Sequence, residues 1–200
     1  MGIGIRMFIE VYPSWTGQPI ATCLTPGGVF LFHNRVLFQA LGLQLDRPDI
    51  PAPLIPCRGW PNAVSKEIVQ ESCLFVSEEA SSERTTRNKT KLHSLRDEQE
   101  WIHWGLKIVE IPNVENYPIE VPPKTRCIFN PGNEKPSWLN ARELLDSLVH
   151  SNFDIEDPHD DENEKHNACV FRWVIQLGEV HGDENVRIVF WFDSVGQEFL

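Results

Sequence analysis

The chain has 200 residues, 41% of them hydrophobic, with 7 tryptophans and 11 phenylalanines, which predicts a single folded domain spanning 1–200 and excludes an intrinsically disordered protein. Its formal net charge of −11 argues against binding to nucleic acid, because no cationic surplus exists to displace counterions from phosphates. No apolar run reaches the roughly 18 residues of a transmembrane helix, and the N-terminus lacks a secretory signal pattern. Five scattered cysteines without a C-x-x-C pair favour reduced thiols. A cytoplasmic protein that binds no membrane is therefore expected.

The first part of the chain predicts short strands followed by one helix. Residues 3–12 alternate as in a strand, with one face apolar and the other formed by Gly4, Arg6, Phe8 and Glu10. Segments 20–24 and 29–32 predict a hairpin around a Pro-Gly-Gly loop. Asn34 predicts the cap of a helix over 35–41 that ends at Gly42.

The middle of the chain alternates irregular segments with short elements. Five prolines between 46 and 61 predict an extended, irregular segment. Ser65 is expected to cap a helix to about residue 73, and the polar stretch 77–92 to be a mobile loop. A second helix is predicted from Ser94 through Trp104, and strands are predicted over 106–111 and 126–129.

The last part of the chain contains the clearest helix signal and an acidic run. Asn140 and Glu143 have the spacing of a capping box, with Trp138 as an apolar anchor before the helix. Residues 154–166 carry seven carboxylates and one lysine (−7 + 1 = −6), and 154–167 is predicted to be a second mobile loop. Segments 171–177 and 186–193 alternate and predict an antiparallel hairpin. We therefore expect an α+β fold: a mostly antiparallel sheet with three to four short helices and long proline-rich loops.

Five short blocks along the chain resemble a family of functionally uncharacterised bacterial and phage proteins. Members open with M-G-C-D-I-H-x-x-x-E and continue with R-N-Y-D-L-F, P-R-G-L-P-D-D-V-S, H-S-H-S-W-L-T-x-x-E-L and V-F-W-F-D. The counterparts here are Gly2, Ile5, Glu10, Asn34, Leu37, Phe38, Arg58 to Pro61, Val64, Ser65, Ser137 to Leu139, Glu143, Leu144 and Val189 to Asp193. The resemblance runs the length of the chain.

The departures from this family pattern bear on function. The family's opening strand carries Asp and His two residues apart on one face, followed by Glu, which suits metal ligands or an acid–base pair. Here Gly4 and Arg6 stand at the first two positions, and only Glu10 remains. Glu134 and Pro136 stand where the histidines of the later block would be. The resemblance therefore implies a lost site, and no catalytic residue, metal or cofactor is predicted.

Whether Gly4, Arg6, Glu10, His33, Asn34 and Arg58 line one concave pocket is the most useful observation for testing a site in these blocks. Six residues are predicted to form a binding site. They are Arg6, Glu10, His33, Asn34, Arg58 and Trp138. A guanidinium next to an aromatic residue, as in Arg58-Gly59-Trp60, can hold a carboxylate or stack on a ring. The alternative is that Arg58 pins the proline-rich segment to the domain, through Glu10.

Two functions remain open at this point. The first is a non-catalytic binding or interaction protein that acts on a basic protein partner, based on the lost Asp and His positions and the concentrated negative charge. The second is a metal-dependent, phosphoesterase-like hydrolase that uses Glu10, His33 and a carboxylate of the acidic run. The sequence has no Walker A loop, no dinucleotide fingerprint and no G-x-S-x-G elbow. Whether the protein is an enzyme, and its oligomeric state, are left open.

Overall fold

The structure, a computed structural model, describes residues 2–12, 21–32, 34–43, 52–61, 64–78, 84–85, 91–103, 108–110, 124–130, 133–158 and 161–195. They form the predicted α+β fold, in which antiparallel pairing dominates. Contacts divide the chain into two compact units, the first made of residues 1–65 and 134–198 and the second of residues 66–133. The single domain stays a prediction, because compactness alone does not show whether the two units unfold together.

The elements of the described residues follow one another in an order that interleaves strands and helices. They are β1 (Gly2–Val11), β2 (Thr22–Cys23), β3 (Val29–Leu31), α1 (Arg35–Ala40), α2 (Lys66–Ser72), β4 (Cys73–Ser77), β5 (Arg84–Thr85), β6 (Lys91–Ser94), α3 (Leu95–His103), β7 (Val109–Glu110), β8 (Thr125–Phe129), β9 (Asn133–Asn140), α4 (Ala141–His150), α5 (Glu162–His181), a 3-10 turn (Asp183–Asn185) and β10 (Val186–Val195).

The sheet of the first unit is built on the long antiparallel pair of β1 and β10, in register from Gly2 opposite Val195 to Val11 opposite Val186. β9 lies on the other side of β10. β2 and β3 both pair with β1, so the predicted hairpin between them is wrong. β1 is long enough for the chain to continue along its edge after the Pro-Gly-Gly loop instead of folding back on itself.

Helices α1, α4 and α5 cover one face of this sheet, here called the helix face. The buried apolar side chains of β1 and β10 meet those of the three helices there, and they include Ile5, Met7, Ile9, Leu37, Leu144, Phe171, Val174, Ile188 and Phe190. Two predicted helix starts are confirmed. Asn34 Oδ1 accepts a hydrogen bond from Leu37 N at 3.1 Å, and Asn140 with Glu143 forms the capping box of α4.

Residues 171–177 are the middle of α5, so the predicted strand and its hairpin with β10 are wrong. Alternate residues there are apolar, but the buried ones recur every three or four residues, at Phe171, Val174 and Gly178. Asp161 caps the helix by accepting from Asn163 N at 2.7 Å, and Gly182 ends it at φ +90°. The second half of the acidic run is thus helical and not part of a loop over 154–167.

The buried side chain of Asn167 on α5 completes the hydrogen bonding at the end of β3. Its Oδ1 accepts from Phe32 N at 3.1 Å, and its Nδ2 donates to Phe32 O at 3.2 Å. His166 Nε2 lies 3.2 Å from Phe30 O. The start of α5 therefore bonds to backbone groups that would otherwise need a further strand or water.

The second unit has its own sheet, in the order β5-β6-β4-β8-β7, and its own apolar cluster of Val76, Trp101 and Ile128. The predicted helix from Ser94 is confirmed as α3, and Ser94 Oγ accepts from Asp97 N at 3.3 Å. The predicted helix after Ser65 is confirmed as α2, but its predicted cap is wrong, because the buried hydroxyl of Ser65 has no hydrogen-bond partner among the described residues. β5 and the start of β6 fall within the predicted loop 77–92, whose residues 79–83 and 86–90 lie outside the described ones.

The proline-rich segment is irregular over 52–61, as predicted, and it passes from the helix face of the first sheet to the opposite face. Ile55 and Cys57 pack against the core of the helix face. The backbone of Ile55 passes close to Gly42, whose φ is +91°. A Cβ on this glycine would lie 2.7 Å from Ile55 O. Trp60 contacts Trp191 on the opposite face, with ring centroids 6.4 Å apart. The segment thus wraps the sheet on the β9 side.

Candidate functional site

The opposite face of β1 was predicted to carry a vacated ligand site, and an aromatic ring fills it at position 4. A Cβ added to Gly4 would lie 2.0 Å from Cζ of Phe30, which projects from the neighbouring β3. Arg6, the next residue on this face, donates from Nη1 to Gly27 O at 3.3 Å. A side chain at position 4 would therefore have to displace the Phe30 ring before it could reach a cation.

Glu10, at the far end of the same face, is fully buried and both of its carboxylate oxygens are bonded. Oε1 accepts from the Ser65 backbone N–H at 2.6 Å. Oε2 accepts from Arg187 Nε at 3.0 Å and from Arg187 Nη2 at 2.5 Å. Arg187 stands directly opposite Glu10 in the register of β1 and β10, so the sheet itself aligns the pair.

Arg187 is also the link between Glu10 and two aromatic rings. Its guanidinium carbon lies 4.9 Å from the Tyr12 ring centroid and 5.9 Å from that of Trp138, and its side chain is 12% exposed. Burial raises the pKa of Tyr12, outweighing the lowering effect of the Arg187 charge, and Glu10 raises it further. A guanidinium between rings and a carboxylate is a tightly held, desolvated cation.

Arg58 approaches the same tryptophan from the proline-rich segment. Its guanidinium carbon lies 4.6 Å from the Trp138 centroid, and its two terminal nitrogens bind Glu143 Oε2 and Oε1 at 3.0 and 2.6 Å. The Arg58 backbone N–H donates to Ser137 Oγ at 3.1 Å. Arg58 thus pins the proline-rich segment to β9 and α4, which is the structural role weighed above, with Glu143 and not Glu10 as the carboxylate.

Glu143 serves two structures at once. Its Oε2 accepts from Asn140 N at 3.0 Å and so closes the capping box of α4, while both of its oxygens bind Arg58. Burial raises the pKa of Glu143, but hydrogen bonds from Arg58 and from Asn140 N outweigh it, and the net shift is downward. Glu10, Arg187, Trp138, Arg58 and Glu143 form one chain of contacts, here called the arginine–tryptophan cluster.

The five predicted site residues that the structure describes do not lie together. Glu10, Arg58 and Trp138 belong to the arginine–tryptophan cluster, whereas Arg6 lies four residues, roughly 13 Å, along β1 from Glu10. Asn34 lies at the start of α1, where its Nδ2 donates to Glu164 Oε1 of α5 at 2.7 Å. His33 lies outside the described residues.

Arg187, the centre of the cluster, was missed by the sequence analysis. One sequence signal could have identified it. Arg187 alternates with Val189 and Trp191 on one face of β10, and the other face of that strand is also apolar. An arginine in such an apolar strand is expected to be buried and to need a carboxylate partner.

The described residues give no support to a metal centre. They contain no group of three or more His, Cys, Asp or Glu side chains that could hold an ion. Glu10 has both oxygens engaged, and it points to the opposite face, whereas Glu164 of the acidic run belongs to α5 on the helix face. No observation on the described residues therefore favours the hydrolase over the binding protein.

The acidic run is the other part of the molecule with chemistry to offer, and its described residues have a defined backbone. Asp154 Oδ1 accepts from the N–H groups of Glu156 and Asp157, both at 2.9 Å, and Asp161 begins α5. Exposed carboxylates stand on both sides of this start, and they are Asp154, Glu156, Asp157, Asp161 and Glu162. The arrangement presents fixed negative charge to solvent.

No family model, curated protein or solved structure matches this chain. The resemblance to the bacterial and phage family therefore stays a prediction. Within the described part of the chain, none of the helices has the length and apolarity to cross a membrane.

Proposed function

We propose that this chain is a non-catalytic binding protein that acts on a basic protein partner through its acidic run. The observation that carries the proposal is the group of exposed carboxylates around the start of α5, held by a turn and a helix cap. The turn at Asp154 and the cap at Asp161 define the backbone of the described residues on both sides of these charges. A cationic partner would therefore meet them at a lower cost of ordering.

The polar groups elsewhere support a binding role over catalysis. The charges of the arginine–tryptophan cluster satisfy one another, with hydrogen bonds of 2.5–3.0 Å between its arginines and glutamates. They stabilise the fold and leave no free acid, base or nucleophile among themselves. The described part of the acidic run, in contrast, exposes the carboxylates of Asp154, Glu156, Asp157, Asp161 and Glu162 to solvent.

The proposal includes the cellular location of the protein and its membership of a family. The net charge of −11 supports a protein that does not bind nucleic acid, and the scattered cysteines support a reducing, cytoplasmic environment. Membership of the bacterial and phage family rests on the five sequence blocks given above.

A charge-reversal experiment tests the proposal. The probe is a 16-residue lysine-rich peptide without apolar residues, titrated against the protein at low and at physiological salt. Glu156→Lys with Glu162→Lys reverses two exposed carboxylates of the run and changes the formal net charge from −11 to −7 (−11 + 2 × 2). We expect roughly tenfold weaker binding, equal to about 1.4 kcal/mol, and a smaller salt dependence.

The matched control has the same net charge. Glu71→Lys with Glu100→Lys also gives −7, at exposed positions of α2 and α3 that lie outside the acidic run and α5. Equal losses of affinity in both double variants would show attraction by net charge alone and would contradict the proposed site. Circular dichroism checks that Glu162→Lys, at a helix N-terminus, leaves α5 folded, since the dipole cost there is about 0.3–1 kcal/mol.

A further inference from the structure

Helix α5 exposes apolar side chains on its outward face, where a surface helix ordinarily carries polar ones. Trp173 is 39% exposed and Val180 is 75% exposed. Leu177 lies between these two residues along the helix, Val170 lies one turn before Trp173, and both are partly buried against the core. With His166 these residues are spaced alternately by four and three, the spacing of a helix–helix seam. His166, Val170, Trp173, Leu177 and Val180 are here called the α5 ridge.

The ridge continues into the exposed Phe32 at its N-terminal end, and Phe32 in turn contacts Phe30, whose ring lies over Gly4 on the opposite face of the sheet. The ring of Phe32, 39% exposed, meets His166 edge-on at 5.5 Å, and Phe30, 36% exposed, meets Phe32 at 5.8 Å. From His166 to Val180 the helix rises about 21 Å. A strip of this length is about four helical turns long, so an elongated element such as a helix can contact all of it.

Charge decides which helix fits. Glu162 lies one turn before His166, at one end of the ridge, and Glu179 and Glu184 are exposed at the other end. The cations of α5, Lys165 and Arg172, lie about 100° around the helix axis from His166 and Trp173. A second copy of this chain would place acidic ends against acidic ends in an antiparallel pairing, which is unfavourable. A basic partner meets no such repulsion.

We propose that the α5 ridge binds an amphipathic, lysine- or arginine-rich helix of the protein partner. Its apolar residues, at the same alternating spacing, would cover Trp173 and Val180, and its cations would meet the carboxylates at the ends of the ridge. This inference rests on the proposed function, because the α5 ridge would be the apolar part, and the acidic run the charged part, of one surface that binds the partner.

The test compares two peptide probes on the intact protein. One is an 18-residue leucine–lysine peptide with leucines at helical spacing, and the other is the lysine-rich peptide without apolar residues. We expect the amphipathic peptide to bind at least tenfold more tightly. Val180→Glu and Trp173→Gln should each remove most of that gain and leave binding of the lysine-rich peptide unchanged. Val149→Glu, on α4 at 68% exposure and outside the ridge, is the matched control and should change neither affinity.

The outcomes separate the two proposals. If both ridge variants bind the amphipathic peptide as the unchanged protein does, the ridge proposal is overturned even where the charge reversals weaken binding. If the charge reversals in the acidic run weaken binding no more than the control reversals do, the acidic-run proposal is overturned, and so is the ridge proposal that rests on it. If sedimentation shows a dimer that Val180→Glu dissociates, a second copy covers the ridge, and the basic helix is ruled out.

Discussion

Glu10 is the residue that most directly connects sequence to architecture. It was singled out as the surviving member of a ligand set, yet in the fold it is a fully buried carboxylate that joins β1 to β10 and to the segment before α2. Its hydrogen bonds to Arg187 and to Ser65 N explain why an acid can persist without water. Glu10 is therefore a structural anchor of β1 in this fold.

Replacing Glu10 should therefore be costly for stability. Glu10→Gln retains the shape but leaves the Arg187 charge, 12% exposed, without its carboxylate. We expect the free energy of unfolding to fall by about 3–5 kcal/mol, as for other broken buried ion pairs. Urea denaturation measures this loss.

A double-mutant cycle with Arg187→Met supplies the control for Glu10. Because the second change removes the unpaired cation, the double variant should lose less than the sum of the two single variants. A loss below about 1 kcal/mol for Glu10→Gln would show that the pair is not the anchor described here.

The carboxylate of Glu143 gives the protein a pH dependence at the acid end. Its folded-state pKa lies below that of an unfolded glutamate, about 4.3, so the unfolded chain binds the proton more readily. The stabilisation is fully present above that value and is lost as the pH falls through the lower, folded-state pKa. Thermal unfolding followed from pH 6 downward should show the loss.

Arg58→Gln is the matched variant for this pH dependence. It removes the bidentate partner of Glu143 and leaves the Asn140 capping interaction in place. The melting temperature of the variant should fall less steeply with acid, and its loss at neutral pH should be modest, about 1 kcal/mol, because the pair is partly exposed. If the melting temperature of the variant falls with acid as steeply as that of the unchanged protein, other carboxylates cause the loss of stability.

At the scale of elements, the sequence predicts a helix or strand correctly where a single local feature, such as a capping asparagine or a regular alternation, determines it. Asn34 and Asn140 each predicted a helix start, because an amide oxygen can satisfy orphan N–H groups of the first turn. The alternation of β1 and β10 predicted their core face, since successive side chains of a strand point to opposite sides. These elements were found within one or two residues of their ends.

The elements that failed are those whose local pattern fits two structures. The run from Phe171 to Leu177 alternates like a strand, yet α5 places Trp173 outside and Phe171 and Val174 inside. β9 was missed because Lys135 and Pro136 are poor strand residues, and pairing with β10 overrides that preference. The partnership of Glu10 with Arg187 spans 177 positions, a separation that no local pattern reports.

At the scale of the molecule, each unit has its own cluster of buried apolar residues. The core of the first unit joins β1, β10 and three helices, and that of the second centres on Trp101. Units with separate cores can open separately. The amide hydrogens of the two units are therefore expected to exchange at different rates.

Trp101→Ala tests whether the units are energetically separate. Removing this buried ring should cost about 3–5 kcal/mol and accelerate exchange throughout residues 66–133, while the amides of β1 and β10 keep their protection. Leu144→Ala, in the first unit, is the reciprocal control. Uniform acceleration across both units in either variant would establish the single cooperative domain that the sequence predicts.

The side chain of Asn167 has a consequence for how the protein behaves at high concentration. Because it occupies both the donor and the acceptor of Phe32, an incoming extended chain cannot pair with that residue. An exposed strand edge with apolar side chains beside it, here Phe30 and Phe32, favours pairing between molecules. We therefore expect this one buried amide to hinder strand pairing between molecules at the end of β3.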